Sequence, residues 1–147
     1  MTFVATFPLR FDEKWRFFLP TKWRDDLADG FYLVQGHEDC VAIYSQSGFE
    51  KLAALVQSES TTFEDVRAYQ RMLGADASEA KADGQGRVIV PPALREYASL
   101  DRDIIVTGAI DHGEIWNPQR WEQYRTAQLP QYSKINKQIG QPQGGAK

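Results

Sequence analysis

Asp12-Glu13-Lys14-Trp15-Arg16-Phe17-Phe18-Leu19-Pro20-Thr21-Lys22-Trp23-Arg24 and Asp83-Gly84-Gln85-Gly86-Arg87-Val88-Ile89-Val90-Pro91-Pro92-Ala93-Leu94-Arg95 carry one pattern twice. In each, an aspartate is followed at steps of four by arginine, proline and arginine, and the copies stand 71 positions apart. A second correspondence runs at a shift of 72, from Gly36–Tyr44 to Gly108–Trp116, and Phe49-Glu50 meets Trp121-Glu122 at the same offset. Duplication over such a length sets the architecture: two copies of one supersecondary unit, and a site built once is expected twice.

The local signals repeat in the same order. Phe3–Phe7 reads as a β-rich strand ended by Pro8, and Arg16–Leu19 as a strand stopped by Pro20. Thr21–Leu27 reads as a short helix, and Phe31–Val34 with Val41–Tyr44 as a hairpin about a turn at Gly36–Asp39. Ser45 can cap a helix to about Gln57, and Thr61-x-x-Glu64 has the form of a capping box for a second one with Val66, Tyr69 and Leu73 inward. The second copy offers a weak strand at Ser78–Ala82, a stronger one at Val88–Val90 and a helix from Pro91-Pro92 to Tyr97. A hairpin from Asp103–Thr107 and Glu114–Trp116 follows, then a helix launched by Asn117-Pro118. From Pro130 the pattern decays, and Gly140–Lys147 reads as disordered.

At 147 residues and 42% hydrophobic content the chain suits one domain, or two small lobes sharing a core. A single cysteine, Cys40, excludes an intrachain disulfide and suits a reducing compartment. There is no apolar run of membrane-spanning length and no basic-then-apolar leader, so a soluble, cytoplasmic protein with no membrane partner is expected. The net charge of −3 argues against nonspecific polyanion binding, yet Arg10–Arg24 holds five basic residues against two acidic ones, and Arg125–Lys147 carries no acid. A basic face on an acidic body is compatible with that distribution.

Arg16 and Arg87 are the leading site candidates. Each stands at the rim of a loop, where a guanidinium can grip phosphates or a guanine edge. The competing reading is that each merely closes its loop by an ion pair, Arg16 to Asp12 and Arg87 to Asp83. The aspartates are assigned to loop structure, since a carboxylate facing phosphate is repelled. Lys14 and Gln85 occupy matching loop positions, suited to phosphate and to adenine or backbone respectively, or simply to a solvated turn. Lys22, Arg24 and Arg95 read as surface charges or subunit contacts. Pro20 and Pro91 end strands and start helices. His37, Cys40 and His112 are too scattered for a zinc site, and Gly84-x-Gly86 lacks the third glycine of a dinucleotide loop. No catalytic constellation is duplicated, so neither catalysis nor a cofactor is expected.

These paired units, each followed by a short helix and a hairpin ending near an aromatic, resemble the MraZ family, a two-repeat relative of the AbrB/SpoVT looped-hairpin DNA-binding proteins. The resemblance covers Phe3 to about Tyr124, strongest in Asp83–Arg95 and Gly108–Trp121, and includes the Ala68–Leu73 segment between repeats. It implies a mixed α/β fold in which two AbrB-like looped-hairpin repeats, of swapped-hairpin or double-split β-barrel type, form a pseudo-dimer with packed helices. The expected organisation is a first repeat with linking helices over 1–73, a second repeat over 74–132 and a flexible tail over 133–147. The implied function is a nucleoid-associated transcriptional regulator, in most relatives a repressor, of its own cell-division and cell-wall operon. It would bind direct repeats in double-stranded promoter DNA as a ring-shaped homo-oligomer. DNA contact falls to Arg16, Arg87, Lys14 and Gln85, with Asp12, Asp83, Gly86, Pro20 and Pro91 shaping the loops.

One position departs from the family. Where relatives have glycine in the first loop this chain has Trp15, while Gly86 keeps it in the second. Glycine permits positive φ or close backbone approach. With Trp15, either the loop takes another conformation or its indole covers a neighbouring subunit. A structural or partner-binding ring with reduced DNA binding is therefore the alternative reading, and an antitoxin-like role a third.

Overall fold

The computed structural model describes residues 2–140. Its strands are β1 (Thr6–Arg10), β2 (Arg16–Phe18), β3 (Phe31–Gln35), β4 (Val41–Ser45), β5 (Ser78–Ala80), β6 (Arg87–Ile89), β7 (Asp103–Gly108) and β8 (Gly113–Trp116). The helices are α1 (Gln46–Gln57), α2 (Glu64–Ala75), α3 (Pro92–Tyr97) and α4 (Pro118–Gly140). The fold is mixed α/β. Six strands form an antiparallel sheet in the order β1-β7-β8-β4-β3-β5, and β2 pairs with β6 in a separate ribbon.

The pairing exchanges strands between repeats. β1 of the first repeat lies on β7 of the second, and β5 of the second lies on β3 of the first. At two other contacts between the repeats like faces like: Phe17 opposes Val88 in the ribbon and Ala42 opposes Glu114 at the centre of the sheet. These are repeat-mates at shifts of 71 and 72, so an approximate two-fold axis passes through both pairs.

Alternation explains how the ribbon joins the body. Phe17 and Val88 point inward and are 1% exposed, packing with Phe11, Leu19, Trp23, Leu27, Leu94 and Val106 in one core. Trp23 is 1% exposed and meets Phe3 and Phe7 edge-on at 5.1 and 5.7 Å. Gly108 must lack a side chain, because a Cβ there would stand 2.3 Å from the Phe3 backbone. On the first repeat's side, α1 and α2 bury Val34, Ala42 and Leu73 beneath Phe49, Leu52 and Val56. Ser45 caps α1 as its sequence requires, its Oγ accepting from Gly48 N–H at 3.0 Å.

Several local expectations are corrected. Pro8 does not end a strand but sits mid-β1 opposite Ile105; β1 is an edge strand, where a missing N–H costs no ladder bond. The first short helix is only a 3₁₀ turn at Thr21–Trp23 followed by further turns. The Thr61 capping box does not form: α2 starts after Phe63 with no side-chain cap, and Arg67 Nη1 instead donates to the Thr61 and Thr62 carbonyls. The helix from Pro118 is a unit of its own. It continues through Pro130 to Gly140, past the point where the pattern decays. Proline removes one helical hydrogen bond, and the good helix formers on either side carry the turn through. Of the segment read as a tail, residues 133–140 are thus helical, and 141–147 lie outside the described residues.

Candidate functional site

The two motif aspartates build their loops in the same way. Asp12 Oδ1 accepts from the N–H of Lys14 (2.9 Å) and of Arg16 (3.0 Å), and Oδ2 accepts from Arg16 Nε (2.8 Å). Asp83 Oδ1 accepts from the N–H of Gln85 and of Arg87, both at 2.9 Å, and Oδ2 from Arg87 Nε at 2.8 Å. The backbones agree as well, with Trp15 N–H donating to Asp12 O at 3.0 Å and Gly86 N–H to Asp83 O at 2.9 Å. Both carboxyls are held below the usual carboxylate range. For Asp12 burial is the largest influence and pushes upward, but the bonds from Arg16 and Lys14 outweigh it. For Asp83 the bond from Arg87 N–H leads, against burial.

Each arginine is therefore both a loop-closing ion pair and a positioned donor. Only Nε is taken by the aspartate; among the described residues neither guanidinium makes another side-chain hydrogen bond. The ribbon register sets Arg16 opposite Ile89 and Arg87 opposite Phe18, so the two arginines share the face away from the core. Lys14 and Gln85 lie exposed beside them at the loop tips. A groove of about 340 Å³ runs along this face, lined by Arg16, Lys81, Asp83, Arg87, Ile89 and Pro91 among others.

Trp15 corrects the sequence reading. The first loop keeps the conformation of the second, because Trp15 accepts a left-handed φ of 62° where Gly86 has 86°. Its indole packs within its own chain. Arg95 and Arg102 place guanidinium carbons 4.2 and 3.7 Å from the ring centroid, and Phe11 meets it edge-on at 5.6 Å. Arg102 Nη1 also donates to Asp12 O at 2.6 Å.

The final arginine of each motif has a role the sequence did not disclose. Arg24 Nε donates to Leu19 O and Arg95 Nε to Val90 O, both at 3.0 Å. Each then reaches across to the other repeat's loop: Arg95 lies over Trp15, and the Arg24 guanidinium carbon stands 2.5 Å from where a Cβ on Gly86 would be. The signal was present, since an arginine repeated at one motif position is rarely a stray surface charge. Pro20 and Pro91 stand between strand and turn, each immediately before its helical turn.

The scattered metal-type side chains go elsewhere. His37 stacks on Tyr69, and Cys40 Sγ donates to the His37 carbonyl. His112 bridges Asp111 and Glu114 at 2.6 and 2.8 Å. Among the described residues no group of three such side chains is arranged to hold a metal, and no helix is long and apolar enough to cross a membrane.

Comparison with known proteins gives a consistent picture. The family profile described as "MraZ protein, putative antitoxin-like" matches twice, over residues 2–72 and 73–138. A protein of Cutibacterium acnes named as the transcriptional regulator MraZ is 45% identical over 126 residues, 86% of this chain and 89% of its own length. Proteins of the same name from Nocardioides sp. and Leifsonia xyli subsp. xyli are 38% and 39% identical, covering 98% and 93% of this chain and 100% and 96% of theirs.

Proposed function

The chain belongs to the MraZ family, and from that premise we propose that it is a transcriptional regulator acting through direct contact with promoter DNA. The observation that carries this reading is the β2–β6 ribbon, which sets Arg16 and Arg87 on one outward face with each Nε locked and the other donors available. A two-stranded ribbon fits the major groove, and a guanidinium held in register can meet a phosphate or a guanine edge. Lys14 and Gln85 flank the pair and serve phosphate or base contact. The exchanged strands support an AbrB-like assignment for each repeat.

The target is DNA upstream of its own cell-division and cell-wall operon, where direct repeats meet successive subunits of a ring and the outcome is repression. One subunit offers few basic contacts and the chain is acidic overall, so affinity depends on several subunits engaging one duplex. Binding should weaken steeply with salt as counterions are released.

The alternative, a ring that binds partners with reduced DNA contact, rests on Trp15 and the low basic charge. That residue leaves the first loop in the same shape as the second, which favours two working loops. Gel shift with upstream DNA tests the reading. Arg16→Ala and Arg87→Ala should each weaken binding by about tenfold or more, with the double variant weaker still. Unchanged binding in the double variant would remove the loops as the contact surface, and no binding by the wild type at low salt would favour the partner-protein alternative.

A further inference from the structure

The outward face of the ribbon is not simply basic. Register puts Arg16, Phe18, Arg87 and Ile89 on one face, with Phe18 opposite Arg87 and Ile89 opposite Arg16. Phe18 is 55% and Ile89 58% exposed, although β2 and β6 each already bury one apolar side chain on the other face. The two are repeat-mates across the approximate two-fold axis, so the arrangement is a checkerboard: cation, apolar, cation, apolar. A strand of this length needs no large apolar residue toward solvent for its own stability. One such residue would be unremarked on any surface, but two placed alike in both repeats, each facing an arginine, describe a complementary surface.

That surface asks for an occupant with negative or acceptor groups at two places and small apolar groups beside them. The base edges in the major groove meet this description. Guanine offers acceptors to arginine, and the apolar group displayed there is the C5 methyl of thymine. Lys81, lining the same groove, is placed for a phosphate, while Asp83 has both oxygens engaged by three hydrogen bonds from its own loop, and its charge together with that of Glu79 limits how far along the groove a backbone can lie.

Resting on the DNA-binding reading above, we propose that Phe18 and Ile89 are specificity-determining residues that read thymine methyls in the major groove, beside the contacts of Arg16 and Arg87. The arginines anchor and the apolar pair discriminates. Removing a contacted methyl should cost about fourfold in affinity, the equivalent of one buried methyl-sized group.

The test measures full-length protein by fluorescence anisotropy on two duplexes from the region upstream of its gene. One carries thymine, and the other carries deoxyuridine at every thymine position, which keeps charge and pairing and deletes only the methyls. Wild type should prefer the thymine duplex by roughly fourfold for each methyl contacted. Phe18→Ala and Ile89→Ala should each weaken thymine-duplex binding and narrow the preference, and the double variant should bind both duplexes alike with its salt dependence unchanged. Equal wild-type binding to the two duplexes, or a preference that survives the double substitution, overturns the proposal. The first comparison needs no variant, so misfolding cannot obscure it. No binding to either duplex at low salt would sink the DNA reading itself, an outcome distinct from binding that ignores the methyls.

Discussion

The Asp12–Arg16 and Asp83–Arg87 loops make the same hydrogen bonds from different residues, and they differ most at the fourth position. In the second loop Gly86 has a positive φ at no steric cost, and Arg24 settles where a side chain would begin. In the first, Trp15 holds the same backbone conformation against a penalty of about 1–2 kcal/mol for a side chain in the left-handed region. Two guanidiniums stacked on its indole return about 0.5–1 kcal/mol each, more where water is excluded, and Phe11 adds an edge contact. The sums are of equal size. A loop shape can thus be kept either by a residue that tolerates it or by a larger one braced from outside, and only the second route ties the loop to Arg95 and Arg102.

The sharpest way to break this comparison is to exchange the fourth residues. Gly86→Trp should lose about 3 kcal/mol in denaturant unfolding, since the left-handed penalty is joined by collision with Arg24 and no counterpart of Arg102 waits to stack. A Gly86→Trp protein as stable as the wild type would mean that the two loops have interchangeable surroundings. Removing the brace comes next. Arg95→Ala with Arg102→Ala should cost about 2 kcal/mol, counting both stacked cations and the bond to the Asp12 carbonyl, and should shift Trp15 fluorescence. A silent fluorescence change would show that the cations do not hold the ring. Trp15→Gly should move stability by only about 1 kcal/mol, because lost ring contacts and relieved backbone strain oppose one another. A loss of several kcal/mol would mean that packing, not the clamp, dominates the first loop.

The same comparison explains what could be read from the sequence. Asp12, Arg16, Asp83 and Arg87 were legible because a four-residue spacing repeated in both halves leaves little room for chance, and their bonds are local. The shape of the first loop was not legible, because the rule that tryptophan avoids positive φ is local while its remedy comes from Arg95 and Arg102, far along the chain. Strand positions followed from β-branched and aromatic runs, but an exchange between repeats was implied only by the family resemblance and its β1 and β5 partners by nothing in the pattern, since a hydrophobic pattern gives a strand its faces without naming its partner. Pro8 departs from its local rule for the same reason: whether proline is tolerated depends on the strand being at an edge. In Phe17-Phe18-Leu19 and Val88-Ile89-Val90 the unbroken apolar run concealed that Phe18 and Ile89 face outward, which only the ribbon register reveals.

The smallest expected effect concerns the shared part of the loops, the carboxylates. Both Asp12 and Asp83 are held below their ordinary range, so their folded-state values lie beneath the unfolded value of about 3.9. A depressed carboxyl contributes stability that is complete above the unfolded value and is lost as pH falls through the folded one. Neither loop should therefore change across neutral pH, and both should loosen only in strong acid. Asp12→Asn and Asp83→Asn should each be slightly less stable than wild type near neutrality, with the gap closing as pH falls below the unfolded value and through the folded one, where the native carboxyls take up their protons. Carboxyl titration followed by NMR gives the direct reading. Because each aspartate accepts the same three bonds, the two should titrate in the same acidic window despite the indole over one loop and the glycine in the other. A wide separation between them would show that the brace on Trp15 reaches through the backbone to the carboxylate, and that the loops differ at their base as well as at their tip.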